Sequence, residues 1–206
     1  MFRSLRKRSL RKKLGPPVIV VSGLPRSGTS MMMKMLEAAG VELFVDNIRT
    51  ADEDNPKGYF EYEPVKELDK TEDRSWIRES KDKVIKIISF LLPHLPSDCY
   101  YRIIFMNRDL HEVMASQNKM LKRRGEPVDE DGGEKMIGIW QRHLRKMKFT
   151  LAERENIDVL EVSHRDVISA PREQAQRVSG FLGGKYDLDA MAGVVDPQLY
   201  RNRRGS

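Results

Sequence analysis

The chain has 206 residues, enough to bury a core of its own and within the usual span of one domain. Its formal charge is +6, yet residues 1–17 carry Arg3, Arg6, Lys7, Arg8, Arg11, Lys12 and Lys13 and no acid, which leaves residues 18–206 at −1. The excess is local and argues against a nucleic-acid partner; no apolar run approaches the roughly 20 residues of a membrane helix, and the single cysteine, Cys99, rules out an internal disulfide or a Cys-based zinc site.

Residues 1–17 are expected to be a basic, flexible tail ended by Gly15-Pro16-Pro17, either solvated or in weak contact with an anionic surface. No apolar stretch of roughly 7–15 residues follows the basic one, so a secretory leader is not expected, and the setting is read as cytoplasmic. Residues 18–206 form the domain proper. Residues 18–22, β-branched through Val21, suit a strand buried on both faces of a parallel sheet. A Gly-rich turn follows, then a helix over 31–39 stopped by Gly40. Residues 41–62 are polar and irregular, with a turn at Asn55-Pro56-Lys57-Gly58. Pro64 suits the first turn of a helix reaching about Ser80.

Strands are expected at 84–88, 102–106 and 158–162, and helices at 110–124, 134–155 and 171–182, with a loop over 125–133. Strands alternating with helices imply an α/β fold: three layers, α/β/α, around a central parallel sheet. Trp76, Trp140 and the Met31-Met32-Met33 and Met35 cluster read as core, and His143 and His164 as surface residues.

The chemistry is concentrated in Gly23-Leu24-Pro25-Arg26-Ser27-Gly28-Thr29-Ser30, whose glycines are five apart between a strand and a helix. Glycine is needed where backbone N–H groups turn inward around an anion, because a Cβ would block the approach. The following helix adds its N-terminal N–H groups and dipole. Ser27, Thr29 and Ser30 supply hydroxyls, and Arg26 can fork onto a phosphate or sulfate. The spacing is that of the nucleotide-hydrolase loop G-x-x-x-x-G-K-[ST], but Thr29 stands where the lysine belongs. A second constellation follows the strand at 102–106. Arg108 lies at its C-terminal end, where open α/β sheets bind ligands, and Ser116 lies two helical turns on, beyond Asp109 as N-cap.

Together these motifs resemble the sulfotransferase family, whose fold is that of the P-loop nucleotide kinases and whose loop reads P-[KR]-[ST]-G-T-[ST]. Here the loop is Pro25-Arg26-Ser27-Gly28-Thr29-Ser30, and the resemblance extends over about residues 18–183, to Phe181-Leu182-Gly183. It implies transfer of a sulfuryl group from 3′-phosphoadenosine-5′-phosphosulfate, leaving adenosine 3′,5′-bisphosphate, with no metal required. It places the 5′-phosphosulfate on Pro25–Ser30, with Arg26 at the sulfuryl group, and the 3′-phosphate on Arg108 and Ser116. Arg201, Arg203 or Arg204 would assist, or lie in a solvated tail. Lys86 resembles a catalytic lysine of the cytosolic members, which carry a histidine base two residues later, where this chain has Ile88. Other branches use a glutamate from the segment after the first helix. Glu61 beside Tyr59 and Phe60 is the first candidate base, with Glu63, Asp46, His94 and His111 as others. The acceptor, a small molecule, glycan or protein, is expected to meet residues 41–80 and 125–133. Two alternatives remain at this point: a phosphotransferase or nucleotide hydrolase of the same fold, and a non-catalytic nucleotide-binding protein.

Overall fold

The structure, a computed structural model, describes residues 2–46, 48, 60–128 and 133–196. Arg201, Arg203, Arg204, Tyr59 and the turn at residues 55–58 lie outside them. The flexible tail expected over residues 1–17 is instead helical: α1 spans Phe2–Leu14. Leu, Arg and Lys are strong helix formers, and Gly15 at φ +80 ends the helix, its N–H bonded to Arg11 O at 3.1 Å. Tertiary contacts hold its last turns. Arg11 pairs with Asp158 and lies over the Tyr100 ring, and Lys81 Nζ donates to Leu14 O at 2.9 Å.

Strand β1 (Val18–Gly23) is followed by α2 (Thr29–Ala38), a 3₁₀ turn at Glu63–Glu67, and α3 (Trp76–Glu79). Then come β2 (Val84–Lys86), a 3₁₀ helix at Ser89–His94, β3 (Tyr101–Asn107), α4 (Leu110–Arg123) and α5 (Gly133–Glu153). The described chain ends with β4 (Ile157–Ser163), α6 (His164–Ser169), α7 (Pro171–Leu182) and α8 (Leu188–Gly193). The strands form one parallel sheet in the order β2-β1-β3-β4. The single helix expected from Pro64 to Ser80 is broken. Asp73 N–H bonds Thr71 Oγ1 at 3.2 Å and Ser75 N–H bonds Asp73 Oδ1 at 3.0 Å. Such local side-chain turns compete with helix for the backbone donors.

Alternation along the strands builds two cores. Val18, Val20, Ile85, Tyr101, Ile103 and Phe105 face one side, where Met147 and Leu151 of α5, Leu92 and Trp76 cover them. Ile19, Val21, Val84, Ile104 and Met106 face the other, against Met32, Met33, Met35 and Leu36 of α2, Val167 of α6 and Val178 of α7. Each such side chain contributes roughly 1.5–3 kcal/mol on burial. The result is the expected α/β/α sandwich. All four strands run the same way, so their C-terminal ends, at Gly23, Lys86, Asn107 and Ser163, share one edge. Open α/β sheets bind ligands at that edge.

Candidate functional site

The loop after β1 is shaped by three residues in the left-handed region: Gly23 (φ +151), Arg26 (φ +68) and Gly28 (φ +98). A Cβ on Gly23 would lie 2.4 Å from Ser27 Oγ and 2.7 Å from Met106 O, so only glycine lets the loop lie this close to β3. Gly28 is the N-cap of α2 and contributes no side-chain cap, so the helix opens directly onto the loop. Ser27 is 1% exposed, and its Oγ has no hydrogen-bond partner among the described residues. A buried hydroxyl left so costs about 1–3 kcal/mol, which an anion accepting its proton would recover.

The junction after β3 meets this loop directly. Asp109 caps α4, its Oδ1 accepting from His111 N at 2.9 Å and from Glu112 N at 3.3 Å. Arg108 Nη1 donates to Arg26 O at 3.1 Å, and Arg26 Nε donates to Ser116 Oγ at 3.1 Å. Arg108 Nε also donates to Glu112 Oε2 at 3.1 Å, in a pair whose side chains are 9% and 8% exposed. The loop at residues 23–30 and the Arg108–Ser116 junction are therefore one bonded unit.

His164 corrects the sequence reading. It is 7% exposed rather than on the surface, and opens α6 at the end of β4, where Ser163 Oγ caps Asp166 N at 3.2 Å. It packs under the loop: a Cβ on Gly28 would come within 2.5 Å of His164 Cδ2. Burial, and then the nearby Arg108 charge, push its pKa down to about 4, with Glu112 opposing. Reading the C-terminal end of every strand as one set, as with Gly23 and Arg108, would have found it. Because the imidazole stays neutral in the fold but protonates near 6.5 when unfolded, the unfolded chain binds more protons between those values, and stability falls as pH drops from about 6.5 to about 4. The loss is about 3 kcal/mol at most. Melting temperatures at pH 7 and pH 4.5 should differ less in His164→Gln than in the unsubstituted protein; an equal difference would remove His164 as the source.

A third cluster lies on the β2 side. Lys86, whose side chain is 9% exposed, sits opposite Val21 at the end of β2, with Nζ 3.7 Å from Glu61 Oε1. Lys66 Nζ is 3.8 Å from Glu61 Oε2 and 2.5 Å from Glu63 Oε1. Phe60, just before Glu61, has φ +53, a strained geometry for a bulky residue. Among the other candidate bases, Asp46 is engaged with backbone, accepting from Ile48 N at 3.0 Å and Glu63 N at 2.5 Å. His94 lies with Arg74, Arg78, Asp98 and Arg154 around a polar cavity by the start of β3, the opposite edge of the sheet. His111 is exposed at the start of α4, 3.8 Å from Glu134. His143, read as a surface residue, is half-buried: its Nε2 is 3.0 Å from Ser89 Oγ, Phe90 stacks on it at 3.9 Å, and burial lowers its pKa. Trp140, one turn earlier, is buried with Leu24 of the loop and Val113, and Trp76 is buried as well.

Among the described residues no group of three His, Cys, Asp or Glu side chains is arranged to hold a metal ion, and no helix is long and apolar enough to cross a membrane. The family model described as Sulfotransferase family matches residues 69–187, a span that includes Lys86, Arg108 and Ser116 but not the loop at residues 23–30. Two solved structures are similar. The sulfotransferase domain from the curacin biosynthetic pathway aligns with a TM-score of 0.51 at 14% identity, over 91% of this chain and 87% of that one. A sulfotransferase from Alicyclobacillus acidocaldarius aligns with a TM-score of 0.47 at 12% identity, over 84% and 85%. No curated protein matches the sequence.

Proposed function

This chain belongs to the sulfotransferase family, and from that premise we propose that it moves a sulfuryl group from 3′-phosphoadenosine-5′-phosphosulfate to a hydroxyl or amine acceptor. The observation that carries the reading is the contact between the two anion-binding junctions. Arg26 touches Ser116, and Arg108 touches the Arg26 carbonyl, each at 3.1 Å. A nucleotide phosphorylated at both the 3′ and 5′ positions has its phosphates only a ribose apart, so neighbouring pockets suit it. The loop fits the 5′ end: glycines where a Cβ would fill the cradle, and a buried hydroxyl at Ser27 with its proton uncommitted.

In this reading Pro25, Arg26, Ser27, Gly28, Thr29 and Ser30 hold the 5′-phosphosulfate, and Arg108 and Ser116 hold the 3′-phosphate. Glu61 takes the proton from the acceptor as that atom bonds to sulfur. The bond from sulfur to the 5′-phosphate oxygen breaks, and adenosine 3′,5′-bisphosphate leaves with its electron pair. Arg26 and Lys86 balance charge on the sulfuryl and leaving oxygens, and positioned donors of this kind supply most of the acceleration in such transfers. Thr29, in place of the lysine that reaches terminal phosphates, disfavours a phosphotransferase or hydrolase.

The test is ligand-dependent melting. Adenosine 3′,5′-bisphosphate at 100 times its Kd should stabilise the fold by about 2.7 kcal/mol, or roughly 5–10 °C, and ATP with Mg²⁺ should not. The reverse pattern would point to phosphoryl transfer. Release of the bisphosphate from the labelled donor, dependent on an added acceptor, separates catalysis from binding alone.

A further inference from the structure

Resting on the donor reading above, we propose that Glu112 is the positioning residue that gives the Arg108 pocket its preference for a nucleotide carrying a 3′-phosphate. A carboxylate inside an anion site needs a reason, because it repels the phosphate it neighbours. Glu112 is 7% exposed, so it is not a solvated bystander. Its place is fixed at both ends: Asp109 holds its backbone N–H at 3.3 Å, and its Oε2 takes Arg108 Nε–H at 3.1 Å. The Arg26 carbonyl takes an Nη1–H of the same guanidinium at 3.1 Å. Two acceptors on different nitrogens of one planar group set both its plane and its roll. A guanidinium held in that way presents a fork, and forked recognition is what separates a phosphate from a general anion. Glu112 also offsets the Arg108 charge, while His164 beside the pair stays neutral. The Arg26 carbonyl belongs to the phosphate loop, so the same guanidinium ties the 3′ pocket to the 5′ pocket.

The experiment compares Kd values for adenosine 3′,5′-bisphosphate and adenosine 5′-monophosphate by titration calorimetry. It uses the unsubstituted chain, Glu112→Ala, Glu112→Asp and Glu112→Gln. The unsubstituted chain should favour the bisphosphate strongly. Glu112→Ala, and Glu112→Asp with its oxygen withdrawn by one methylene, should reduce that preference by about tenfold or more, with monophosphate affinity kept within about threefold. Glu112→Gln keeps an acceptor oxygen at the same reach and should hold the preference or raise it. A purely structural role would instead weaken both nucleotides equally, and that result, or an unchanged preference in the Ala and Asp variants, overturns the proposal. Should the alanine variant not fold, the aspartate variant, which keeps the charge, decides alone. An unsubstituted chain indifferent to the 3′-phosphate overturns the donor reading and this inference together. A strong preference that survives in Glu112→Asp overturns only the inference.

Discussion

Replacing Gly28 with alanine is expected to lower the melting temperature by about 5–15 °C and to abolish stabilisation by adenosine 3′,5′-bisphosphate. Two costs add. An L-residue at φ +98 is strained by about 1–2 kcal/mol. The new Cβ would then lie 2.5 Å from His164 Cδ2, and His164 is 7% exposed, with little room to move aside. Forcing extra bulk into a packed site costs about 1–3 kcal/mol more. The relief available is to lift the loop off His164, which pulls the α2 N-terminus away from the place where the 5′ end would bind. Gly40→Ala is the internal control. Its φ is +81, but nothing lies within 4 Å of the added Cβ, so it isolates the backbone cost. If Gly28→Ala melts like Gly40→Ala and still responds fully to the bisphosphate, the loop is not the anion cradle described here.

The legible parts of this molecule were those governed by short-range rules. β1 and β3 stand out because each holds four consecutive apolar residues, and both faces of those strands are in fact covered. Pro171 at the start of α7 and Gly183 at its end, with φ +122, bracket a helix that periodicity also marks. The loop at residues 23–30 is legible because glycine spacing reports a backbone requirement directly. What could not be read depends on partners distant in sequence. α1 looked like a tail because the contacts holding it, Asp158 to Arg11 and Lys81 to Leu14, lie 147 and 67 residues away. His164 looked like a surface residue because Gly28, which packs against it, and the Arg108 charge near it lie on other strands' loops. The pairing of Glu112 with Arg108 obeys the i, i+4 rule and was open to inspection. Its meaning was not, since an exposed pair of that spacing is common and only burial makes it consequential. α8 was missed although Asp187 caps it, accepting from Asp189 N and Ala190 N at 3.0 Å each. Six residues give too little periodicity to register.

Glu61→Gln should separate binding from chemistry. The variant keeps the shape and the oxygen that accepts from neighbours but cannot take a proton, so turnover should fall by about 10²–10⁴-fold. Donor affinity should stay close to that of the unsubstituted chain, because Arg26, Arg108 and Ser116 are untouched. Stability should also hold. Glu61 meets Lys86 and Lys66 at 3.7 and 3.8 Å, beyond hydrogen-bond reach, and the glutamine carbonyl keeps an acceptor at the same place. Glu63→Gln serves as the matched control: Glu63 shares Lys66 but is 40% exposed and makes no described contact with Lys86, so turnover should change by less than about twofold. The comparison is discriminating because both substitutions remove one negative charge from the same cluster. A general electrostatic effect would lower both rates alike, whereas a proton acceptor acts from one position only. Equal rates in Glu61→Gln and the unsubstituted chain would transfer the search for the base to His143, the half-buried imidazole held by Ser89 and Phe90 beside the loop-packing Trp140.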